Sequence, residues 1–107
     1  FAEGPKIEIN TNIDFSESAI CDLEDIKLYY AEQNIPEIGK NFIIEIIKHI
    51  ETLPANPKIG RQVPEFQMTS IRELIHPPFR VVYVLNDHSI QIIRIWRSER
   101  LMVGVEF

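Results

Sequence analysis

From Ala19 the apolar positions recur at spacings of four, three and four: Ala19, Leu23, Ile26, Tyr30. This is one stripe of a helix, with Asp22, Glu24, Asp25 and Lys27 lying off it. Asp14-Phe15-Ser16-Glu17 has the shape of a helix start. Asp14 or Ser16 can accept a hydrogen bond from a free backbone N–H, and Glu17 suits the positive first turn. The helix is predicted to end near Asn34. Pro36 suits the first position of a second helix, which Phe42, Ile43, Ile46, Ile47, Ile50 and Leu53 continue until Pro54 stops it. So short a link makes the two helices an antiparallel hairpin. Ahead of them, Lys6 to Ile13 alternates loosely and reads as a short strand. Pro54 to Arg61 is loop by composition. The period then changes. Ser70 to Ile75, Phe79 to Leu85 and Ser89 to Trp96 are rich in β-branched and aromatic residues, as strands are. His76-Pro77-Pro78 and Asn86-Asp87-His88 are short enough to turn hairpins between them. The predicted class is α+β: a strand, an antiparallel helical hairpin, then a three-stranded antiparallel meander. The helices cover one face of the sheet. The other face is expected to be bare, a shallow concave site.

At 107 residues the chain reads as a single domain, 1–107, with residues 1–5 expected to be disordered or foreign to the natural chain. It is long enough to bury one core without a metal or disulfide staple. Hydrophobic residues are 45% and charged residues 25%, an ordinary balance for a globular domain. No apolar run approaches the ~20 residues of a membrane span, and Phe1-Ala2-Glu3-Gly4-Pro5 does not look like a secretory leader. The lone Cys21 has no internal disulfide partner, which suits a reducing cytoplasm. The expected location is cytoplasmic, with no membrane contact.

Net charge is −5, but its distribution changes the picture. Residues 1–57 carry four lysines against eleven acids, a net of −7. Residues 58–100 carry Lys58 and all six arginines against Glu65, Glu73, Asp87 and Glu99, a net of +3. Arginine is suited to bidentate contacts with phosphate or carboxylate. Any anion site therefore belongs to the second half. Three histidines and one cysteine, far apart in sequence, have no metal-ligand spacing. There is no phosphate-cradling glycine loop either, so no cofactor is expected.

Several short patterns resemble the RelE/ParE superfamily, the toxins of type II toxin–antitoxin systems, which include plasmid stabilisation proteins. Ala19, Asp22, Leu23, Ile26, Tyr29 and Tyr30 look like the first helix of that superfamily. Gly60-Arg61 followed by Val63-Pro64-Glu65 resembles the loop after the second helix. Arg72-Glu73-Leu74, then Phe79-Arg80-Val81-Val82-Tyr83, resembles its central hairpin. Ile92-Ile93-Arg94-Ile95-Trp96, then Arg97-Ser98-Glu99-Arg100, resembles its last strand and basic exit. The likeness runs from about residue 6 to 102 in order and spacing. Three departures matter. Many relatives carry histidine where Arg97 stands, and RelE-type ribonucleases carry a tyrosine, or histidine and tyrosine, near the C-terminus. This chain ends Leu101-Met102-Val103-Gly104-Val105-Glu106-Phe107. It also lacks the lysine-rich second helix that helps RelE-type proteins hold messenger RNA.

The resemblance implies two functions. One is ribosome-dependent cleavage of messenger RNA by a metal-independent endoribonuclease (an mRNA interferase), which inhibits translation. Such cleavage needs a base, an acid and cations around the phosphorane. The candidates are Arg72, His76, Arg80 and Arg97 for the chemistry, and Arg61, Tyr83 and Arg100 for holding RNA or another target. The family pattern would gather these arginines near one side of the sheet. His76 is the best titrating group, with an ordinary pKa near ~6.5; Glu65 or Glu73 would be the alternative base. Alternation puts Arg94 and Arg97 on opposite faces, leaving Arg94 as a surface cation. The other function is non-catalytic inhibition of DNA gyrase, as in ParE-type toxins, for which the acidic hairpin and the missing C-terminal tyrosine speak. Superfamily breadth tilts the sequence reading slightly toward cleavage. Both readings imply a cognate antitoxin that wraps the toxin, its acidic tail matching the arginines. The target would be the ribosome with its messenger RNA, or gyrase.

Overall fold

The computed structural model describes residues 12–64, 66 and 70–98. The elements run β1 (Asn12–Phe15), α1 (Glu17–Glu32), α2 (Pro36–Ile50), β2 (Arg61–Gln62), β3 (Ile71–His76), β4 (Phe79–Leu85) and β5 (Ser89–Arg97). One five-stranded sheet takes the order β1-β5-β4-β3-β2, with β1 parallel to β5 and the remaining pairs antiparallel. The hairpins and their bounds agree with the sequence pattern to within a residue.

Three points differ. Asp14 and Phe15 extend β1 rather than opening the helix, because Phe15 pairs with Ile92 and packs on the core. Ser16 alone is the N-cap, its hydroxyl accepting from Ala19 N at 3.0 Å. The early part of the expected strand, 6–11, lies outside the described residues. A further strand, β2, pairs with Arg72 and Glu73 at the end of the expected loop; two residues are too few to show any alternation. Finally, the sheet face away from the helices is not bare. It carries its own buried cluster of Val63, Ile71, Val82, Ile93 and Trp96.

The main core lies between hairpin and sheet. Ala19 and Ile26 of α1, Ile46 and Ile50 of α2, and the following Leu53 meet Leu74, Phe79, Val81, Tyr83, Ile90, Ile92 and Ile95. Each such large side chain contributes roughly 1.5–3 kcal/mol by leaving water. Helix α1 ends in a Schellman arrangement. Asn34 sits at φ 64, a conformation asparagine tolerates. Its N–H donates to Ala31 O while Ile35 N–H donates to Tyr30 O. Gly39 then lets α2 approach α1, since a Cβ there would lie 3.0 Å from Tyr30 Cβ.

The edge of β5 determines where α1 lies. Strand β1 stops opposite Ile92, and Ser16 N–H donates to Ile92 O at 2.9 Å. Beyond that point β5 bulges at Ile93: Val82 pairs with Arg94 but Tyr83 with Ile92. The Ser16 hydroxyl donates to Ile93 O, and the Asp22 carboxylate accepts the Ile95 N–H. Helix α1 therefore takes over the strand edge where β1 leaves it.

Candidate functional site

Strand alternation sorts the predicted residues into separate places. Glu73 and Arg80 lie on the outer face with Val82, and Arg61 pairs across from Glu73. Glu73 is fully buried and Arg80 is 5% exposed. Arg61 Nε reaches one Glu73 oxygen at 2.5 Å and Arg80 Nε the other at 2.6 Å. A buried carboxylate needs this charge, because desolvating it unpaired is costly. Arg61 and Arg80 therefore hold Glu73 in place, and Glu73 is a counterion rather than an open base.

Arg72 and Tyr83 face the other way, toward the helices. Tyr83 is fully buried. Its hydroxyl donates to Pro57 O at 2.8 Å and accepts the Gly60 N–H at 2.9 Å. Burial pushes its pKa up, against the smaller pull of the Gly60 hydrogen bond and the Arg72 charge, so the hydroxyl stays a donor. Tyr83, expected from sequence to touch a target, is placed here where it pins the loop before β2 to the sheet. Arg72 donates from Nη1 to Gly60 O at 2.9 Å in the same corner, and its buried Nε has no hydrogen-bond partner. A Cβ on Gly60 would lie 2.6 Å from Glu73 O and closer still to the Tyr83 hydroxyl, so only glycine fits.

Arg94 is not a surface cation either. Its Nε and Nη2 grip both oxygens of Asp22 at 2.9 Å, and its guanidinium lies 4.2 Å from the Trp96 ring centre. Asp22 is 6% exposed, although it reads as off the apolar stripe. Its spacing of three from Ala19 and four to Ile26 places it at the rim of that stripe, which was the available signal.

Arg97 is held differently. It faces the helices beside Phe79, its register partner on β4. The guanidinium carbon lies 5.1 Å from the Tyr29 ring centre, 5.4 Å from Phe79 and 5.8 Å from Tyr30, and Nη2 donates to the Tyr30 hydroxyl at 2.8 Å. Those rings continue a chain of aromatic contacts, Tyr30 to Phe42 and Phe42 to Phe79, that joins both helices to the sheet. Arg97 stands at a cleft of about 510 Å³ between α1 and the end of β5, lined by Asp22, Asp25, Ile26, Tyr29, Trp96 and Arg97. Among the described residues no carboxylate pairs with it. The tyrosines were visible in sequence, but nothing there linked them to Arg97.

His76 lies in the same row as Phe79 and Arg97, one strand further across. Its Nδ1 is 2.9 Å from His49 Nδ1 on α2, and its Nε2 is 3.7 Å from a Glu45 oxygen. Burial first, and then the His76 charge, lower the His49 pKa below its ordinary 6.5. Of the seven predicted residues, Arg61 and Arg80 come together on the outer face. His76 and Arg97 share the helix-side end, and Arg72 and Tyr83 share the loop corner. Gathering on one side does not occur, because the period of two splits neighbouring positions between faces. Arg100 and Glu65 lie outside the described residues. No group of described residues could hold a metal ion, and no described helix is long and apolar enough to cross a membrane.

The sequence matches the family described as the ParE toxin of type II toxin–antitoxin systems (parDE) over residues 13–102. The chain belongs to the ParE toxin family. Solved structures carry the same fold. A chain of the chromosomal ParDE system of P. aeruginosa aligns with TM-score 0.71 and 24% identity, over 83% of this chain and 97% of that one. YoeB of Staphylococcus aureus, solved as a dimer, gives 0.58 and 21%, over 85% and 99%. A chain of the E. coli DinJ–YafQ toxin–antitoxin complex gives 0.51 and 15%, over 82% and 92%. Among curated proteins no sequence matches. In this ParE-family toxin, much of the resembling pattern is architectural. Ala19 is in the core, Asp22 covers an edge, Gly60 permits a close approach, and Glu73 joins two arginines.

Proposed function

We propose that this toxin of a type II toxin–antitoxin system acts without catalysis, by binding a protein target of the ParE type, DNA gyrase, through the Arg97 cleft. The observation that carries this is the mixed character of the cleft. Arg97 is rigid on three rings, yet Asp25 and Asp22 stand on the same walls as Tyr29 and Trp96. Asp22 is neutralised by Arg94, but the Asp25 carboxylate beside the cation disfavours a continuous polyanion such as RNA. The cleft suits a protein surface that offers an acid to Arg97 and apolar atoms to the rings. The acidic first half of the chain adds to that preference.

The second reading, ribosome-dependent messenger RNA cleavage, is favoured by one observation. His76 sits with Glu45 and His49 at the same sheet end as Arg97, so a proton-carrying group stands within one row of a cation. Both readings include a cognate antitoxin. The groove on the solvent side of the hairpin, about 630 Å³ and lined by Ile20, Leu23, Pro36, Ile43 and Ile44, would take its helix.

Purified toxin freed of antitoxin is the reagent that separates the two readings. Inhibition of gyrase supercoiling with messenger RNA left intact on programmed ribosomes is expected. Cleaved messenger RNA with unaffected supercoiling would overturn the proposal in favour of the second reading.

A further inference from the structure

At the joint between α2 and β3 two imidazoles meet nitrogen to nitrogen. His49 Nδ1 and His76 Nδ1 are 2.9 Å apart, with ring centres at 5.1 Å. That distance requires a hydrogen between them, so one ring must carry a proton on Nδ1 and the other must present a bare lone pair. Two charged rings have no acceptor to share and repel. Two neutral rings can keep the bond only if one adopts the Nδ1–H form. The bond survives as long as a single hydrogen lies between the two Nδ1 atoms, and His76 Nε2 then faces the Glu45 carboxylate at 3.7 Å.

We propose that His49 and His76 form a one-proton latch that ties the helical hairpin to the end of β3, and that a second proton opens it. The surrounding charges are few. On α2, Glu45 faces His76, while Lys48 beside His49 is exposed to solvent. On β4, Phe79 is the apolar neighbour of His76, while Arg80 points to the other face with Glu73. On β5, Arg97 lies beyond Phe79 in the same row. Glu45 is the one carboxylate found near the pair among the described residues. It is largely exposed, so it does not compensate two protons. The sign follows from His49. Its pKa is lower in the folded protein than the ordinary 6.5, so the unfolded chain binds more protons as pH falls below that value. Stability is full above about 6.5 and declines below it. Since His76, Phe79 and Arg97 share one row, opening the latch loosens the sheet end that bears Arg97.

Two measurements on the intact toxin test this. Nitrogen-detected NMR of the histidine rings near pH 7.5 should show one of the three histidines protonated at Nδ1 and hydrogen-bonded to a bare Nδ1. All three in the ordinary Nε2–H form would overturn the latch. Urea-unfolding midpoints between pH 7.5 and 5.0 should fall in the wild type. The fall should be shallower but not abolished in His76→Gln, which removes the charge beside His49 and leaves its burial, and unchanged in His88→Gln, which alters an exposed turn. An equal fall in the His76→Gln variant and wild type would also overturn it.

Discussion

The outer-face knot around Glu73 and the Arg97 cleft are both built from arginine, and they use it in opposite ways. At Glu73 two guanidinium groups converge on a fully buried carboxylate, Arg80 from inside the fold and Arg61 from an exposed position. Arg94 repeats this with Asp22 at the strand edge. At the cleft one guanidinium rests on three aromatic rings and one hydroxyl. Rings orient a cation without cancelling its charge, so Arg97 stays able to receive an acid from outside. A count of arginines cannot tell these cases apart. The presence of a buried counter-charge can.

The strongest way to break the comparison is Glu73→Gln. It removes the fully buried charge that Arg80 and Arg61 share, and breaking such a pair costs about 3–5 kcal/mol. Urea unfolding should show a loss of that order; a loss under about 1 kcal/mol would mean the knot is not structural. Asp22→Asn should cost less, about 2–3 kcal/mol, because Arg94 is partly solvated and the amide keeps one acceptor for Ile95 N–H. A double-mutant cycle with Arg94→Gln should show coupling between the two positions. Gly60→Ala should cost about 1–3 kcal/mol by pushing the Tyr83 hydroxyl away from its loop. Replacing Tyr83 with Phe in that background should relieve part of the clash. Arg97→Ala should have the smallest effect on stability, under about 1 kcal/mol, since it removes ring contacts and one hydrogen bond. Its effect should fall on growth arrest instead.

How much of this was legible in the sequence follows the same division. The helical stripe and the strand alternation gave the helices, the hairpins and the α+β class, because local periodicity records which side of an element is dry. Ser16 was a readable cap. Strand β2 and the parallel pairing of β1 with β5 were not readable, since a two-residue strand has no period and pairing partners far apart in sequence leave no local mark. The site was read only in part. Arg97 is a candidate in sequence and in structure, but Arg61 and Arg80 look equally available in sequence, and Arg94 looks like a surface cation, until Glu73 and Asp22 are seen beneath them. Tyr83 looked like a contact residue because sequence records a hydroxyl and not the loop that captures it. The pairing of His49 with His76 joins a helix to a strand across 27 residues, which periodicity cannot detect.

Arg97 is held in place by aromatic rings and a hydroxyl rather than by a carboxylate, and so stays able to receive an acid from a target. The direct measurement is gyrase supercoiling inhibition by purified Arg97→Ala toxin, with its urea midpoint taken on the same sample. At least a tenfold loss of inhibition at a nearly unchanged midpoint is the predicted result; inhibition equal to wild type in a folded variant would contradict it.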